Sequence, residues 1–587
     1  MRSWWRRSRY AFLFAAVASH SPVAGQSRGC FAGLSGGTGG RYPSDVQTNV
    51  LYYGDNLDIL RRYIPDASAD LVYLDPPFNS NRDYNVIFKD ESGNNTDAQL
   101  LAFEDTWHWG PDAEAQYAYL TNTNQNRGRV PATVGTIVAA LRAGIGENQM
   151  MAYLVEMAVR LVELHRVLKP TGSLYLHCDP TASAYLKVTL DAVFGATNFR
   201  NEIVWKRFNF HSDARRFGRV ADRLLFYTKS DDFTFHTLRV AFSAEYEAAK
   251  FTHVDPDGRR YRLSDLNPPG SRGPIYEFNG VTKPWRVTED NMRRLDAEGR
   301  IYKGSKVAQL KRYLDELSGQ SVHDVWTDVA PINPQAKERL GYPTQKPVAL
   351  LERIIEASSN AGDIVLDPFC GCGTALVASQ KLDRKWIGID ITYLSIAVMR
   401  ARLKDSFGLA DVPVVGQPTE VEGARAMLVG TGLEGQYQFQ WWALDLIGAQ
   451  PKGDFRKKGA DQGIDGVISF STGPHGEVGR ALVSVKSGSV NSSMVRDLKG
   501  VLEREKAEIG LFVTLEEPSG PMHLEATTAG VYHSELSGRD YQRIQILTIR
   551  DLLEHERKPD LPLLVLPAYQ QAERVDKKAA EQGELFG

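Results

Sequence analysis

Cysteine is scarce in this sequence. The chain of 587 residues has four cysteines, Cys30, Cys178, Cys370 and Cys372. So few cysteines do not make a disulfide framework, and they lack the paired spacing with histidines that a structural zinc site needs. We therefore expect a reduced, cytoplasmic protein.

Long apolar runs are also lacking. No segment approaches the roughly 18 apolar residues of a membrane span, so we expect no membrane partner. The N-terminus, MRSWWRRSRYAFLFAAVASHSPVAG, has a basic start, an apolar run and then small residues, which superficially matches a secretory signal peptide. The Gly/Ser-rich residues 25–40 favour instead a leader or disordered tail over residues 1–45, or a misassigned start codon.

No excess of charge marks the whole chain, because 69 Lys and Arg stand against 72 Asp and Glu. A nucleic-acid surface can be local, so regional charge has to be examined instead. No internal repeat of solenoid period is present either.

Strand and helix signals alternate from about residue 46. This alternation predicts an α/β fold with a doubly wound, parallel sheet. We predict a catalytic domain over residues 46–405 with an inserted module at 206–340, a linker at 406–435, a smaller α/β domain at 436–555 and a charged tail at 556–587.

The first motif is LVYLDPPFN, residues 71–79. A buried strand stops at Asp75, and two prolines follow, which donate no N–H and end sheet pairing abruptly. An isolated Asp-Pro-Pro is more often a plain strand terminator than a catalytic group.

A near-copy of this motif lies downstream, in DIVLDPFCGCGTALVAS, residues 363–379. The strand ends at Asp367, and Gly371 and Gly373 let the backbone approach a ligand before a helix begins near Thr374. The next strand, KWIGID, places Asp390 at its end, where a carboxylate can bind both hydroxyls of a ribose. Together these elements predict a nucleotide site, and the lack of a P-loop or a full G-x-G-x-x-G motif favours a nucleoside without phosphates.

These motifs resemble those of the S-adenosylmethionine-dependent amino-methyltransferases of DNA. The order of DPPF, inserted module and DPFCGCGT is that of their β class, a circular permutation of the Rossmann-like methyltransferase sheet. The resemblance covers about residues 46–405 and implies double-stranded DNA as partner, with a homodimer as a candidate assembly.

The resemblance also implies roles for single residues. The methionine part of S-adenosylmethionine would be held by Asp367, Phe369, Gly371, Gly373 and Thr374. Asp390 matches the ribose-binding acid, Asp55 matches a strand-end acid near the adenine, and Lys346 belongs to the TQKP segment that closes over the cofactor.

The DPPF motif has a chemical reading of its own. An exocyclic amino group is a poor nucleophile, because its lone pair is delocalised into the base. If the Asp75 carboxylate and the Pro76 carbonyl accept its two N–H bonds, the lone pair becomes available for attack on a sulfonium methyl. Pro76 and Pro77 keep the motif rigid, and Phe78 can stack on a base that has left the helix.

Other methyl acceptors are less consistent with the motif. A cytosine-C5 enzyme needs a cysteine nucleophile, usually after a proline, and no cysteine here follows one. Asp at the first motif position is typical of adenine-N6 enzymes, whereas Ser is more common in cytosine-N4 enzymes and Asn in RNA- or glutamine-directed relatives. Adenine in DNA is the predicted target, with cytosine N4 and a non-catalytic DNA-binding regulator as alternatives.

Residues 200–230 form the predicted DNA-reading part of the inserted module. They contain eight Lys and Arg against three Asp and Glu, interleaved with aromatic residues. The aromatic residues are Trp205, Phe208, Phe210, Phe217 and Phe226. Such a segment suits phosphate contact and base-edge readout, although a solvated loop with core aromatics gives the same composition.

The C-terminal domain carries a second candidate site. GIDGVISF contains Asp465 and ALVSVKSG contains Lys486, a pattern that resembles the PD-(D/E)xK nuclease fold of Mrr-like restriction domains. In those enzymes the acid and a second ligand bind Mg²⁺. Here the second position is Ser484, whose hydroxyl is a weak ligand for a hard cation. The domain is therefore either the nuclease of a single-chain restriction-modification enzyme or a module that only grips DNA.

Overall fold

A computed structural model gives the fold of the chain. It describes residues 46–77, 83–89, 95–104, 107–208, 215, 217–268, 270, 272–304, 308–333, 335–340, 342, 344–429, 432–452, 463–473, 477–562, 565 and 574, with backbone only at 83–89, 95–104 and 432–434. The predicted leader, residues 1–45, lies outside the described residues, as do Phe78 and Phe210.

The N-terminal half alternates strands and helices. Its elements are β1 (Val50–Tyr53), α1 (Asn56–Tyr63), β2 (Ala69–Leu74), β3 (Asp83–Lys89), β4 (Asn95–Glu104), α2 (Pro111–Thr121), α3 (Thr123–Asn126), α4 (Ala132–Ile145), α5 (Gln149–Val167), β5 (Leu168–Cys178), α6 (Ser183–Phe194), β6 (Phe199–Lys206) and β7 (Ala221–Thr228).

Short strands and two helices follow, and then the alternation returns. These elements are β8 (Arg239–Val240), α7 (Ala244–Lys250), β9 (His253–Val254), β10 (Arg260–Asp265), β11 (Ile275–Phe278), β12 (Val281–Pro284), α8 (Glu289–Ala297), β13 (Ile301–Lys303), β14 (Ala308–Tyr313), β15 (Gln320–Ser321), β16 (Val325–Trp326), α9 (Val348–Ser358), β17 (Ile364–Asp367), α10 (Thr374–Lys381), β18 (Lys385–Asp390), α11 (Tyr393–Phe407), β19 (Val414–Val415) and α12 (Val421–Ala426).

The C-terminal part has its own set of elements. They are α13 (Gly432–Leu446), β20 (Gln450–Pro451), β21 (Gly466–Ser471), β22 (Val478–Lys486), α14 (Ser492–Glu505), β23 (Ile509–Thr514), α15 (Gly520–Thr528), β24 (Val531–Ser534), β25 (Arg539–Gln542), β26 (Ile544–Thr548) and α16 (Ile549–Glu554).

The main sheet, as far as the chain is described, has the order β16-β6-β7-β5-β2-β17-β18-β1-β19. β7 runs antiparallel to both of its neighbours, and the other pairings are parallel. The carboxyl ends of β1, β2, β6, β17 and β18 therefore lie at one edge of the sheet. The predicted α/β fold is confirmed, although the sheet is mixed and not wholly parallel, because β7 runs antiparallel to its neighbours.

Helices cover both faces of this sheet, which explains why its central strands are continuous apolar runs. Val72 and Leu74 of β2 pack on one face with residues of α1, α5 and α6. Leu71 and Tyr73 pack on the other face with residues of α9, α10 and α11. All four side chains are at most 3% exposed.

Two strands within the predicted inserted module, residues 206–340, belong to the main sheet. β7 and β16 are strands of the main sheet, and between them lie a four-stranded sheet, β13-β14-β10-β9, and two two-stranded sheets. Trp205 and Phe226, assigned from the sequence to DNA reading, are buried in the core. The basic residues of β6 and β7, which are Arg200, Lys206 and Arg223, are partly exposed, whereas these aromatic residues face the core, so the composition of the segment does not reveal their separate roles.

The C-terminal part contains a five-stranded sheet of order β20-β21-β22-β23-β26. The segment presented by the sequence as a linker, 406–435, contains β19 and α12. β19 pairs with β1 of the main sheet, and Val421 and Ala424 of α12 pack in an apolar cluster with residues of α13. This segment is therefore folded against both sheets.

Among the described helices, none combines the length and the apolar character that crossing a membrane requires.

Candidate active site

The two LDP motifs end neighbouring strands. β17 pairs with β2 so that Leu366 lies opposite Val72, and the chain leaves both strands at the same edge. Asp75 and Asp367 follow there, close enough for the charge of Asp75 to raise the pKa of the Asp367 carboxyl. Both motifs thus lie at one edge of the sheet, where Pro76 is buried and Pro77 is half-buried.

Lys346 joins the TQKP segment to the first motif. Its ammonium donates to Asp75 Oδ2 and forms an ion pair with it. The two side chains are 6% and 14% exposed, respectively. The sequence places Lys346 near the cofactor, and the structure brings its charge onto the proposed catalytic carboxylate.

A buried hydrogen-bonded chain lies beside Asp75. The Tyr73 hydroxyl lies 3.0 Å from His177 Nδ1, and His177 Nε2 lies 3.1 Å from Asp222 Oδ2. Arg207 donates to the same Asp222 oxygen at 3.4 Å. Burial lowers the pKa of His177, with the Lys346 charge as a further cause. A neutral imidazole that accepts from Tyr73 and donates to Asp222 satisfies all three groups.

Sequence reasoning missed this chain of side chains. Tyr73, His177 and Asp222 stand on three different strands that are far apart in the sequence, so no local spacing connects them. The one available signal was that each lies within two residues of a carboxyl-edge strand terminus, β2 and β5 ending there and β7 beginning there.

The glycine turn is tied to the acid at the end of β18. The Gly371 N–H donates to Asp390 Oδ2 at 2.8 Å. Gly371 and Gly373 have φ of 52° and 73°, in the left-handed region that favours glycine. A Cβ on Gly373 would come within 2.8 Å of Met399 Cγ, so a larger residue there would force the Met399 side chain to move.

Two buried carboxyl groups at the turn, those of Asp367 and Asp390, have raised pKa values. Burial raises the pKa of Asp367 to about 8, and the nearby charges of Asp75 and Asp390 add to the effect. Burial also raises the pKa of Asp390. Asp367 has a fixed orientation, because its Oδ1 accepts from the Phe369 N–H at 2.9 Å. This pair of acids fits a ligand that brings an ammonium group and hydroxyl groups, which S-adenosylmethionine does.

Thr374 and Asp55 are both engaged within the protein. Thr374 Oγ1 accepts from buried Arg402 at 3.1 Å. Asp55 caps the N-terminus of α1 and pairs with Arg160 at 2.6 Å. The neighbouring Asn56 donates to the Pro368 carbonyl at 2.8 Å, which fixes α1 to the second LDP motif.

Exposed aromatic side chains flank the turn after β6, at the same edge as Asp75. Phe208 is 48% exposed and Phe217 is 99% exposed. The Arg207 guanidinium lies 5.0 Å from the centre of the Phe208 ring. Of the four predicted DNA-reading aromatic residues that the structure describes, Phe208 and Phe217 are available to a ligand.

In the C-terminal domain, the Asp465 carboxylate is held from several sides. Gln440 Nε2 donates to Oδ1 at 2.7 Å, and the Val485 N–H donates to Oδ2 at 2.6 Å. The Lys486 ammonium lies 3.8 Å from Oδ2. Over the described part of the chain, no group of three His, Cys, Asp or Glu side chains could hold a metal ion. With buried Ser484 at the second ligand position, these residues do not fit the expected Mg²⁺.

Two family profiles match the chain. The profile of the DNA methylase family N6_N4_Mtase matches residues 69–398. The profile of NACHT-associated inactive Restriction Endonuclease 1 matches residues 442–554.

Curated relatives also match the chain. Type II methyltransferase M.EcaI of Enterobacter cloacae is 33% identical over 41% of this chain and 54% of its own length. The StyLTI Mod subunit, a type III restriction-modification enzyme of Salmonella typhimurium, is 26% identical over 57% of this chain and 50% of its own length. DNA adenine methyltransferase YhdJ of Escherichia coli is 23% identical over 64% of this chain and 89% of its own length. The chain thus spans about half the length of the first two.

Proposed function

The chain belongs to the DNA methylase family N6_N4_Mtase, and on that premise we propose that it is a site-specific DNA methyltransferase that transfers a methyl from S-adenosylmethionine to adenine N6. The observation that supports this most directly is that Asp75 and the Gly371–Asp390 turn lie at neighbouring strand ends of one sheet. Asp75 can hold the amino group that accepts the methyl, and the Gly371–Asp390 turn can hold the methyl donor.

The residues of the turn fit the cofactor. The Asp367 carboxylate would receive an ammonium group, and Asp390 would receive ribose hydroxyls beside the Gly371 backbone. When bound, S-adenosylmethionine supplies a methyl group activated by a positively charged sulfur.

The DPP motif would orient the acceptor. Asp75 and the Pro76 carbonyl accept the two N–H bonds of the amino group, so that its lone pair is directed towards the methyl position. Lys346 holds the Asp75 carboxylate in a defined rotamer before DNA arrives, because an ion pair this buried is costly to separate. Asp75 also offers the oxygen to which the amino group can pass its spare proton after methyl transfer.

Adenine is favoured over cytosine by Asp at the first motif position and by the relative named as a DNA adenine methyltransferase. The family name covers N6 and N4 acceptors alike, so the experiment must identify the base. We propose duplex DNA as substrate, a cytoplasmic location, where S-adenosylmethionine is made, and a homodimer in solution that light scattering would detect.

The test uses the full chain with tritiated S-adenosylmethionine and mixed genomic DNA, followed by nucleoside mass spectrometry. We expect N6-methyladenine from the wild type, and at least a hundredfold lower rate from Asp75→Ala, since removing a transition-state contact typically costs that much. Asp231→Ala is the matched control, because Asp231 is an exposed acid paired with Arg200 away from the motifs. Labelled N4-methylcytosine, or labelling by Asp75→Ala at the wild-type rate, would refute the proposal.

For the C-terminal domain we propose binding without cleavage. The Asp465 carboxylate is already held by Gln440 and by the Val485 N–H, and the matching family is named as inactive. Unmethylated DNA incubated with Mg²⁺ should remain intact with both the wild type and Lys486→Ala. Cuts that require Lys486 would instead establish a single-chain restriction-modification enzyme.

A further inference from the structure

The first helix of the C-terminal domain, α13, packs on the cofactor side of the catalytic domain. One apolar cluster contains residues of both domains. From the catalytic domain these include Tyr342, Cys372, Tyr393, Leu394 and Val398, and from α13 they include Phe439, Trp442 and Ala443. Cys372 belongs to the glycine turn and the Tyr342 ring lies beside Gly371, so the interface reaches the proposed cofactor site.

Polar contacts within this interface converge on the start of α11. Asp445 of α13 accepts from Arg400 Nη1 at 2.9 Å. The Tyr393 hydroxyl lies 3.2 Å from Asp445 Oδ2 and 3.1 Å from Gln417 Oε1, and can donate to either. Gln438 Oε1, also on α13, accepts from the Tyr393 N–H at 2.9 Å. Tyr393 is the first residue of α11, so α13 satisfies one of the N–H groups that a helix N-terminus leaves unpaired.

Thr392, the residue before Tyr393, helps to fix the side chain of Asp390, the proposed ribose-binding acid. The Thr392 N–H and its hydroxyl both donate to Asp390 Oδ1 at 2.9 Å. Gly371 holds the other carboxylate oxygen, Oδ2. The rotamer of Asp390 is thus set by the glycine turn on one side and by the start of α11 on the other.

A second set of contacts connects Thr392 to Tyr342, whose ring lies beside the glycine turn. The Thr392 hydroxyl lies 2.6 Å from Ser395 Oγ, which lies 3.1 Å from the Tyr342 hydroxyl. The Tyr342 ring lies over Gly371, where a Cβ would approach it to 3.2 Å. A shift of Thr392 would therefore move both the Asp390 carboxylate and the Tyr342 ring.

From these contacts we infer that Asp445 and Gln438 are positioning residues for the cofactor pocket. The nuclease-like domain forms the outer support of Asp390, and its presence sets the affinity of the catalytic domain for S-adenosylmethionine. This inference rests on the proposed function. It assigns the domain a role that does not depend on cleaving or binding DNA.

If the C-terminal domain only stabilised the fold, the interface variants would give a different result. Loss of any interface contact would then lower stability, whereas cofactor affinity would follow no particular contact. The interface offers a matched control, since Arg425 of α12 pairs with Glu516 of the C-terminal domain, and both side chains are exposed. That ion pair is not among the contacts that lead to Asp390.

The experiment measures S-adenosylmethionine binding to the full chain by titration calorimetry, together with KM and kcat on DNA and the thermal midpoint. Asp445→Asn keeps the shape and removes the charge, and Tyr393→Phe removes a single hydroxyl in case the first variant folds poorly. We expect Kd and KM for the cofactor to rise about fivefold to tenfold in both, as the loss of one buried hydrogen bond predicts. The value of kcat should stay within about twofold, because the DPP motif is untouched.

Glu516→Gln should bind the cofactor as the wild type does, even if its thermal midpoint falls. The inference is overturned if Asp445→Asn and Tyr393→Phe bind S-adenosylmethionine with wild-type affinity, or if Glu516→Gln weakens binding equally. A wild-type chain that fails to bind S-adenosylmethionine at all would instead overturn the proposed function, and the inference with it.

Discussion

Lys346 donates a hydrogen bond to Asp75 although 271 positions separate the two residues in the sequence. The contact connects the segment before α9 to the motif after β2. It therefore joins the TQKP segment to the DPP motif, although the two lie on different structural elements.

Substitution of Lys346 by Met should disrupt both stability and turnover. Breaking a buried pair leaves Asp75 as an uncompensated charge, which costs about 3 kcal/mol of unfolding free energy. We expect a thermal midpoint several degrees lower and at least tenfold lower kcat, with Lys346→Arg intermediate. Differential scanning fluorimetry and single-turnover labelling measure the two effects. A Lys346→Met variant with wild-type kcat would show that the pair is only structural.

Binding of S-adenosylmethionine should depend on pH through Asp367. The pKa of this buried carboxyl is about 8, so it is largely protonated at neutral pH and must lose its proton to pair with an ammonium group. Affinity should therefore rise with pH, by up to tenfold per unit below about pH 8, and level off above it. Calorimetry in two buffers of different ionisation enthalpy should detect the released proton, and Asp367→Asn should abolish the release. The same affinity at pH 6.5 and pH 8.5 would contradict this assignment.

His177 should make the protein sensitive to acid. Its pKa is lowered from the ordinary 6.5, so below that pH the unfolded chain takes up a proton that the folded protein does not. The unfolding free energy should therefore fall as the pH drops through 6.5, by up to about 1.4 kcal/mol per unit, and His177→Gln should flatten this dependence. Thermal midpoints at pH 7.5 and pH 5.5 provide the measurement. Equal slopes for the two proteins would rule out His177 as the cause.

Phe208→Ala should weaken DNA binding and leave cofactor binding unchanged. The ring is half exposed beside the site edge, and stacking of a base on an aromatic ring contributes about 1–3 kcal/mol. Fluorescence anisotropy with a labelled duplex should show a fivefold or greater rise in Kd. Phe235→Ala is the matched control, since Phe235 is 52% exposed but follows the opposite end of β7. Equal losses in the two variants would indicate a general effect on the fold.

Much of the site could be predicted from the sequence, because strand ends and glycines leave local signals. Asp75, Asp367 and Asp390 each follow or end a strand, and parallel strands bring such ends to one edge. The partners of these acids could not be predicted in the same way. Lys346 reaches Asp75, and Asp445 reaches Tyr393, through side-chain packing between distant segments, and no local pattern encodes that.

The β6–β7 hairpin shows how composition misleads. A hairpin that combines partly exposed basic residues with buried aromatic residues has the same composition as a basic, aromatic loop that binds DNA. Trp205 and Phe226 lie within the strands and are buried in the core, whereas Phe208 lies just beyond the end of β6 and is exposed.

The short strand β19 also determines where the chain can be divided. Val414 and Val415 supply the backbone partners of Leu51 and Tyr52. A protein ending at residue 405 would leave β1 as an open edge, and unpaired edges invite association with other chains. Recombinant catalytic fragments that stop there should aggregate more readily than fragments that retain Val415, in which Leu51 and Tyr52 of β1 stay paired.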